Sequence, residues 1–124
     1  MISAIPYQYR DASNYKEGST IYLDGELSAA DIALIESKLS EGDGFIPGNL
    51  AKVSVEELQP RMTSFPSDDD HVYHELELTG LHLLKQAPEG ETVISARDFV
   101  DSFAAIAGPE QWDEAAAMER LGIE

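Results

Sequence analysis

The run from Ser67 to Leu84 constrains this chain more than any other: three consecutive aspartates, then His71-Val72-Tyr73-His74-Glu75, then an alternating stretch that reaches Leu84. From Val72 to Thr79 the apolar positions are Val72, Leu76 and Leu78, with His74 in the same register. Tyr73, Glu75, Glu77 and Thr79 fall on the other side. Successive side chains of a strand leave opposite faces, so this period of two predicts a half-buried strand. The chain therefore needs a sheet with one covered face. Gly80 interrupts the pattern and predicts a bulge or bend. Leu81, Leu83 and Leu84, just beyond it, are too apolar to lie in water.

The other elements follow from local rules. Residues 2–10 predict a first strand with Ile5, Tyr7 and Tyr9 on one side. Pro6 cannot donate to a ladder, which predicts an edge position. Asp11 to Gly18 collects turn formers and reads as a loop. Residues 19–24 read as a second strand, close enough to pair antiparallel with the first. Ser28 predicts the cap of a helix from Ala29 to Ser40, with Asp31 in its first turn, Ile32, Ile35 and Leu39 as the buried stripe, and Gly42 at its end. Residues 43–66 hold the anchors Phe45, Ile46 and Leu50 in a loop broken by Gly44, Pro47 and Gly48, and Val53 to Leu58 reads as a short strand or a turn of helix. Ser95 with Asp98 predicts a second helix through Ala107, with Phe99, Phe103 and Ile106 on its core face. Pro109 opens a last helix from Glu110 to Leu121. Its apolar content is thin, so residues 109–124 read as an appended element. Together these predict one α+β domain over residues 1–124: a small, mainly antiparallel sheet with two to three helices packed on one face.

Charge is the extreme value of the composition, with 24 acids against 8 bases and a net charge of −16. A surface of that sign repels DNA, RNA and anionic membranes and favours a basic partner. The absence of cysteine excludes a disulfide framework, a thiol nucleophile and a zinc-thiolate site. Met1-Ile2-Ser3-Ala4 lacks the pattern of a signal peptide and no apolar run reaches transmembrane length, which predicts a cytoplasmic protein.

The chain resembles a group of small uncharacterised bacterial proteins. The resemblance rests on Tyr9-Arg10-Asp11-Ala12-Ser13-Asn14-Tyr15-Lys16, on Phe45-Ile46, and on Asp69-Asp70-His71-Val72-Tyr73-His74-Glu75. It covers roughly residues 7–105, with Tyr73 standing where the group more usually has Trp. It implies one compact fold and no particular chemistry.

Catalytic constellations are weak. His71 and His74 are three apart on a predicted strand, so they face opposite sides and cannot converge on a metal unless the backbone bends. The helical spacing of zinc proteases and the acid spacing of a calcium loop are both missing. Glu75 and Glu77 on an exposed face lack the cleft that acid–base work needs. Ser28 and Ser95 read as caps. The sequence thus predicts no catalytic residue, no metal and no cofactor.

What remains is the acid pattern. Carboxylates two apart on a strand, such as Glu75 and Glu77, lie about 6.8 Å apart. Those three or four apart on a helix, such as Glu110, Asp113 and Glu114, have Cβ atoms about 5–6 Å apart. Both intervals are comparable to phosphate spacing along a nucleic-acid strand. The leading expectation is a non-enzymatic acidic inhibitor or decoy that binds a basic nucleic-acid-handling protein, of the anti-CRISPR, anti-restriction or nuclease-immunity kind. The expected contact residues are Asp68, Asp69, Asp70, Tyr73, Glu75, Glu77, Glu110, Asp113 and Glu114. An acidic interaction module without mimicry, in some versions homodimeric, is the alternative. A metal-dependent hydrolase using His71 and His74 ranks third.

Overall fold

Strong local pairing starts the chain. In the computed structural model, which describes residues 1–123, strands β1 (Ile2–Arg10) and β2 (Lys16–Asp24) form an antiparallel hairpin that runs from Ile2 opposite Asp24 to Arg10 opposite Lys16. Asp11 closes its loop: the backbone N–H of Tyr15 donates to the Asp11 carboxylate at 2.9 Å. Asn14 takes the left-handed turn (φ 68°), a conformation its short polar side chain tolerates.

Around this hairpin the sheet is mixed and mostly antiparallel. Strand β3 (Gly44–Phe45) pairs with β4 (His74–Leu76), β4 with β1, and β2 with β6 (Val93–Ser95), while β5 (His82–Leu84) also pairs with β1. The β2–β6 pair is parallel, and β6 has no counterpart in the sequence reading. Helices α1 (Ala29–Lys38), α2 (Ala96–Ala104) and α3 (Glu114–Leu121) complete an α+β architecture, with α2 packed on β2 and β6 and α1 packed on α2. Residues Val53 to Leu58 form neither strand nor helix.

The caps form where the sequence places them. The Ser28 side chain accepts from the Asp31 N–H at 3.0 Å while Asp31 accepts from the Ser28 N–H at 3.1 Å, a reciprocal box. Ser95 accepts from the Asp98 N–H at 3.1 Å. Both helices stop short of their expected ends. For α1 the cause is visible at Leu39, which turns to extended backbone (ψ 131°) to bury its side chain.

Two expectations are corrected by one residue. Pro6 lies in a central strand, and the long strand expected over 72–79 is broken. Pro6 has no N–H to offer, and its carbonyl accepts from Glu77 at 2.9 Å on the side away from β2. The neighbouring chain meets that missing donor by leaving the ladder: Leu78–Gly80 forms a short 3-10 turn between β4 and β5. Gly80 permits the approach, since a Cβ there would stand 3.1 Å from the Pro6 ring. The alternation itself is correct up to that point, with Val72, His74 and Leu76 all buried.

The C-terminal segment is also corrected. Trp112 is 5% exposed, its indole N–H donates to the Lys38 carbonyl at 2.9 Å, and Ala117 and Ile123 are buried in the same core as Phe99 and Phe103. This is core packing, at odds with an appendage. Helix α3 begins at Glu114, later than Pro109 suggested, because Asp113 supplies its cap by accepting from the Ala116 N–H at 3.0 Å.

Candidate functional site

The strongest candidate is an acidic recess around Tyr73, built by a tight turn, a strand pair and the start of α3. Ser40 and Gly44 exchange two backbone hydrogen bonds of 2.8 Å each, closing a turn in which Glu41 (φ 51°) and Gly42 (φ 95°) are left-handed. The turn leaves Glu41 and Asp43 exposed. Gly44 is required where it stands: a Cβ would lie 2.9 Å from the Ser40 carbonyl oxygen and 3.4 Å from the Tyr73 ring. Pairing of Gly44 with Glu75 and of Phe45 with His74 sets the register. His74 then points into the core, while Tyr73 and Glu75 point outward and are half-buried.

The C-terminal segment forms the opposite wall. Two adjoining recesses of about 550 and 510 Å³ share Ser40, Glu41, Tyr73 and Glu114; Asp43 and Glu75 line the first, Glu110 the second. Partial burial and the crowding of these carboxylates shift the proton affinities of the groups that line the recess. Partial desolvation, followed by the negative charge of Glu75, raises the carboxyl of Asp43 above its usual value. Desolvation and then the charge of Glu114 raise the Tyr73 phenol. Glu75 differs: burial pushes it up, but hydrogen bonds from Arg10 and Gln8 outweigh this and hold it below the ordinary carboxylate range. The Arg10–Glu75 pair is 3.0 Å and the Gln8–Glu75 bond 2.8 Å.

The recess therefore gathers four of the residues singled out in the sequence: Tyr73, Glu75, Glu110 and Glu114. Glu110 and Glu114 reach it from different elements, because residues before Asp113 are not helical. Asp113 is occupied as the α3 cap. Glu77 lies beyond β4 at the start of the 3-10 turn, so it does not share one strand with Glu75.

The aspartate run lies elsewhere, and two of its members are already engaged. Asp69 accepts from the Ser13 hydroxyl at 2.6 Å. Asp70 accepts from the Tyr9 hydroxyl at 2.6 Å and from the Ser67 N–H at 2.8 Å. Asp68 alone of the three is exposed. Glu41 and Asp43 are the recess residues that sequence reasoning missed. Their proximity to Tyr73 depends on the β3–β4 pairing, and β3 is only two residues long. The acidic triplet Glu41-Gly42-Asp43 beside Ser40 was the one available clue.

Both histidines serve the backbone. His71 Nε2 donates to the Arg10 carbonyl at 2.7 Å, and its Nδ1 accepts from the Tyr73 N–H at 3.1 Å. His74 Nε2 accepts from the Leu58 N–H at 2.9 Å, which places its proton on Nδ1. Burial lowers its basicity to a pKa of about 3. Among the described residues no group of three or more His, Asp or Glu side chains converges in a metal-holding arrangement. No described helix is long and apolar enough to cross a membrane. Comparison with protein families, curated proteins and solved structures finds no match to this chain.

Proposed function

We propose that this protein is a non-enzymatic acidic decoy of the cytoplasm that inhibits a basic nucleic-acid-handling protein, such as a defence nuclease, a CRISPR or restriction complex, or a toxin nuclease. The observation that carries the reading is the recess around Tyr73. It sets Glu41, Asp43, Glu110 and Glu114 beside an aromatic ring, with none of these four ion-paired in the described structure. Hydrogen-bonded backbone presents them: Glu41 and Asp43 on a doubly bonded turn, Glu114 at the start of a capped helix, and Glu110 in the turn closed by Gly108 and Gln111. Unpaired carboxylates at fixed positions are what a cleft of lysines and arginines would accept in place of phosphates. The net charge of −16 steers such a partner from a distance.

A test is capture of the partner from bacterial lysate, followed by competition with the purified pair. The decoy reading expects DNA or RNA to displace the protein. It also expects binding to weaken steeply with salt, since exposed charges are screened over about 10 Å at 0.1 M. A partner that still binds its nucleic acid normally when saturated with this protein overturns the reading.

One observation favours the interaction module without mimicry. Tyr15, at the hairpin loop, is 69% exposed, and large aromatics are enriched at the centres of interfaces. That reading expects Tyr15→Ala to abolish binding, shallow salt dependence and no competition by nucleic acid.

A further inference from the structure

The sheet carries an edge that the recess does not use. Strand β2 spans Lys16–Asp24, yet its outer neighbour β6 covers only Tyr22–Asp24, leaving Lys16–Ile21 without a strand on that side. The pairing pattern tells which backbone groups are free. Residues opposite each other in an antiparallel ladder alternate between bonded and non-bonded pairs. Pro6 has no N–H and turns its carbonyl to Glu77, so Pro6–Thr20 is a non-bonded pair, as are Gln8–Gly18 and Arg10–Lys16. The N–H and C=O groups of Lys16, Gly18 and Thr20 therefore face the open edge.

A groove of about 460 Å³ runs along this edge. Ile21, Val55 and Ile94 contribute apolar surface, and Glu56 and Glu91 are exposed at its rim. Gly18 is exposed, is not held in a left-handed conformation, and has only a backbone oxygen at 3.9 Å near its missing Cβ. Glycine is not required there by the turn or by crowding. A glycine in a strand interior often marks close approach of another backbone.

We propose that this edge is a strand-addition site for an extended, cationic segment of a partner protein. Main-chain bonds to Lys16, Gly18 and Thr20 supply register, and alternate apolar side chains lie over Ile21 and Val55. Charge selects the occupant. Arg61 pairs with Glu17 and Glu56, Glu91 at the rim is in no ion pair among the described residues, and with Lys16 included the groove is left net negative in a chain of net charge −16. A second copy of this chain would bring the same −16 to the same edge. A lysine- or arginine-rich strand brings the opposite sign.

The site is separate from the Tyr73 recess, and amide shifts of the isotope-labelled full chain distinguish the two. The probe is a short synthetic peptide of alternating lysine and valine. Its expected effect is to shift the amides of Lys16, Gly18 and Thr20 and slow their exchange. The same peptide N-methylated at the residues facing β2 loses those donors and turns a methyl group toward the edge, and should bind at least about tenfold more weakly. A glutamate–valine peptide should not bind. Equal affinity of the methylated or glutamate peptide overturns the proposal, as do shifts confined to the Tyr73 recess. Sedimentation of the protein alone as a dimer with the Lys16–Thr20 amides protected overturns it in favour of self-pairing.

Discussion

The Asp68–Asp70 loop and the recess around Tyr73 are both rich in carboxylates, and their oxygens are occupied in opposite ways. In the loop, Asp69 and Asp70 accept from Ser13, Tyr9 and Ser67 and tie residues 67–71 to the end of the β1–β2 hairpin. Tyr9 is fully buried, so the Asp70 carboxylate satisfies a hydroxyl with no access to water. In the recess, Glu41 and Asp43 lie exposed on a turn that is closed by backbone bonds alone. Removing Asp70 leaves a buried donor unmet, whereas removing Glu41 or Asp43 mainly relieves repulsion. Acid density along a sequence thus says little about where a partner binds. What matters is which lone pairs the fold has already used.

The largest expected effect tests whether the recess has an independent wall. Trp112 lies just before the α3 cap and packs edge-on against Phe103, ring centroids 5.8 Å apart. Trp112→Ala should cost about 3–5 kcal/mol in denaturant unfolding. Amide shifts should spread through 109–123 and around Tyr73 more than around Asp70. A loss under about 1 kcal/mol would mean that the C-terminal segment is an appendage after all.

Next comes a pH effect beneath both regions. Burial holds the folded pKa of His74 at about 3, well below its ordinary 6.5. As pH falls below 6.5 the unfolded chain takes up a proton that the folded chain refuses, so this contribution to stability is full above 6.5 and is lost down to pH 3. The loss amounts to roughly 3 kcal/mol between pH 7 and pH 4. Protonation of repelling carboxylates over the same range acts in the other direction. His74→Gln, which retains an acceptor for the Leu58 N–H, isolates the histidine part. The parent chain should lose more stability on acidification than the variant, and parallel pH profiles would refute the assignment.

A smaller effect separates the two acid regions directly. Asp70→Ala strands the Tyr9 hydroxyl and the Ser67 N–H, at a cost of about 2–3 kcal/mol. Binding of a basic partner by the surviving folded protein should change little. Unchanged stability with weakened binding would reverse the roles assigned to the loop and the recess.

How much of this was legible follows from the range over which each residue acts. The hairpin, the Ser28 and Ser95 caps and the inward register of Val72, His74 and Leu76 depend on neighbours within a few positions. The break at Leu78–Gly80 depends on Pro6, some seventy residues earlier, and only once β1 is known to be central. Strand β6 has three residues and little pattern of its own; its pairing follows from the placement of α2. Within the recess, Tyr73 and Glu75 were visible from alternation. Glu41 and Asp43 were not, because a short turn acquires its surroundings only through tertiary pairing. The aspartate triplet misled for a related reason: its partners Tyr9 and Ser13 lie in the hairpin.

The smallest expected change in stability is the most informative about function. Asp43→Asn combined with Glu114→Gln should alter unfolding free energy by no more than about 0.5 kcal/mol. The Asp43 change should be stabilising, because desolvation and the charge of Glu75 hold its carboxyl above the usual value, and loss of the Glu114 charge from the first turn of α3 offsets part of that gain. That gain should shrink as salt rises and screens the repulsion. Partner binding should fall steeply in the same variant, while an equal number of acids neutralised elsewhere, such as Asp24 and Glu26, leaves it nearly intact. Stability and binding should therefore move in opposite directions in this variant. A recess variant that loses both stability and binding would show that these carboxylates are held in the fold as Asp70 is. A variant that loses neither would move the binding surface away from Tyr73.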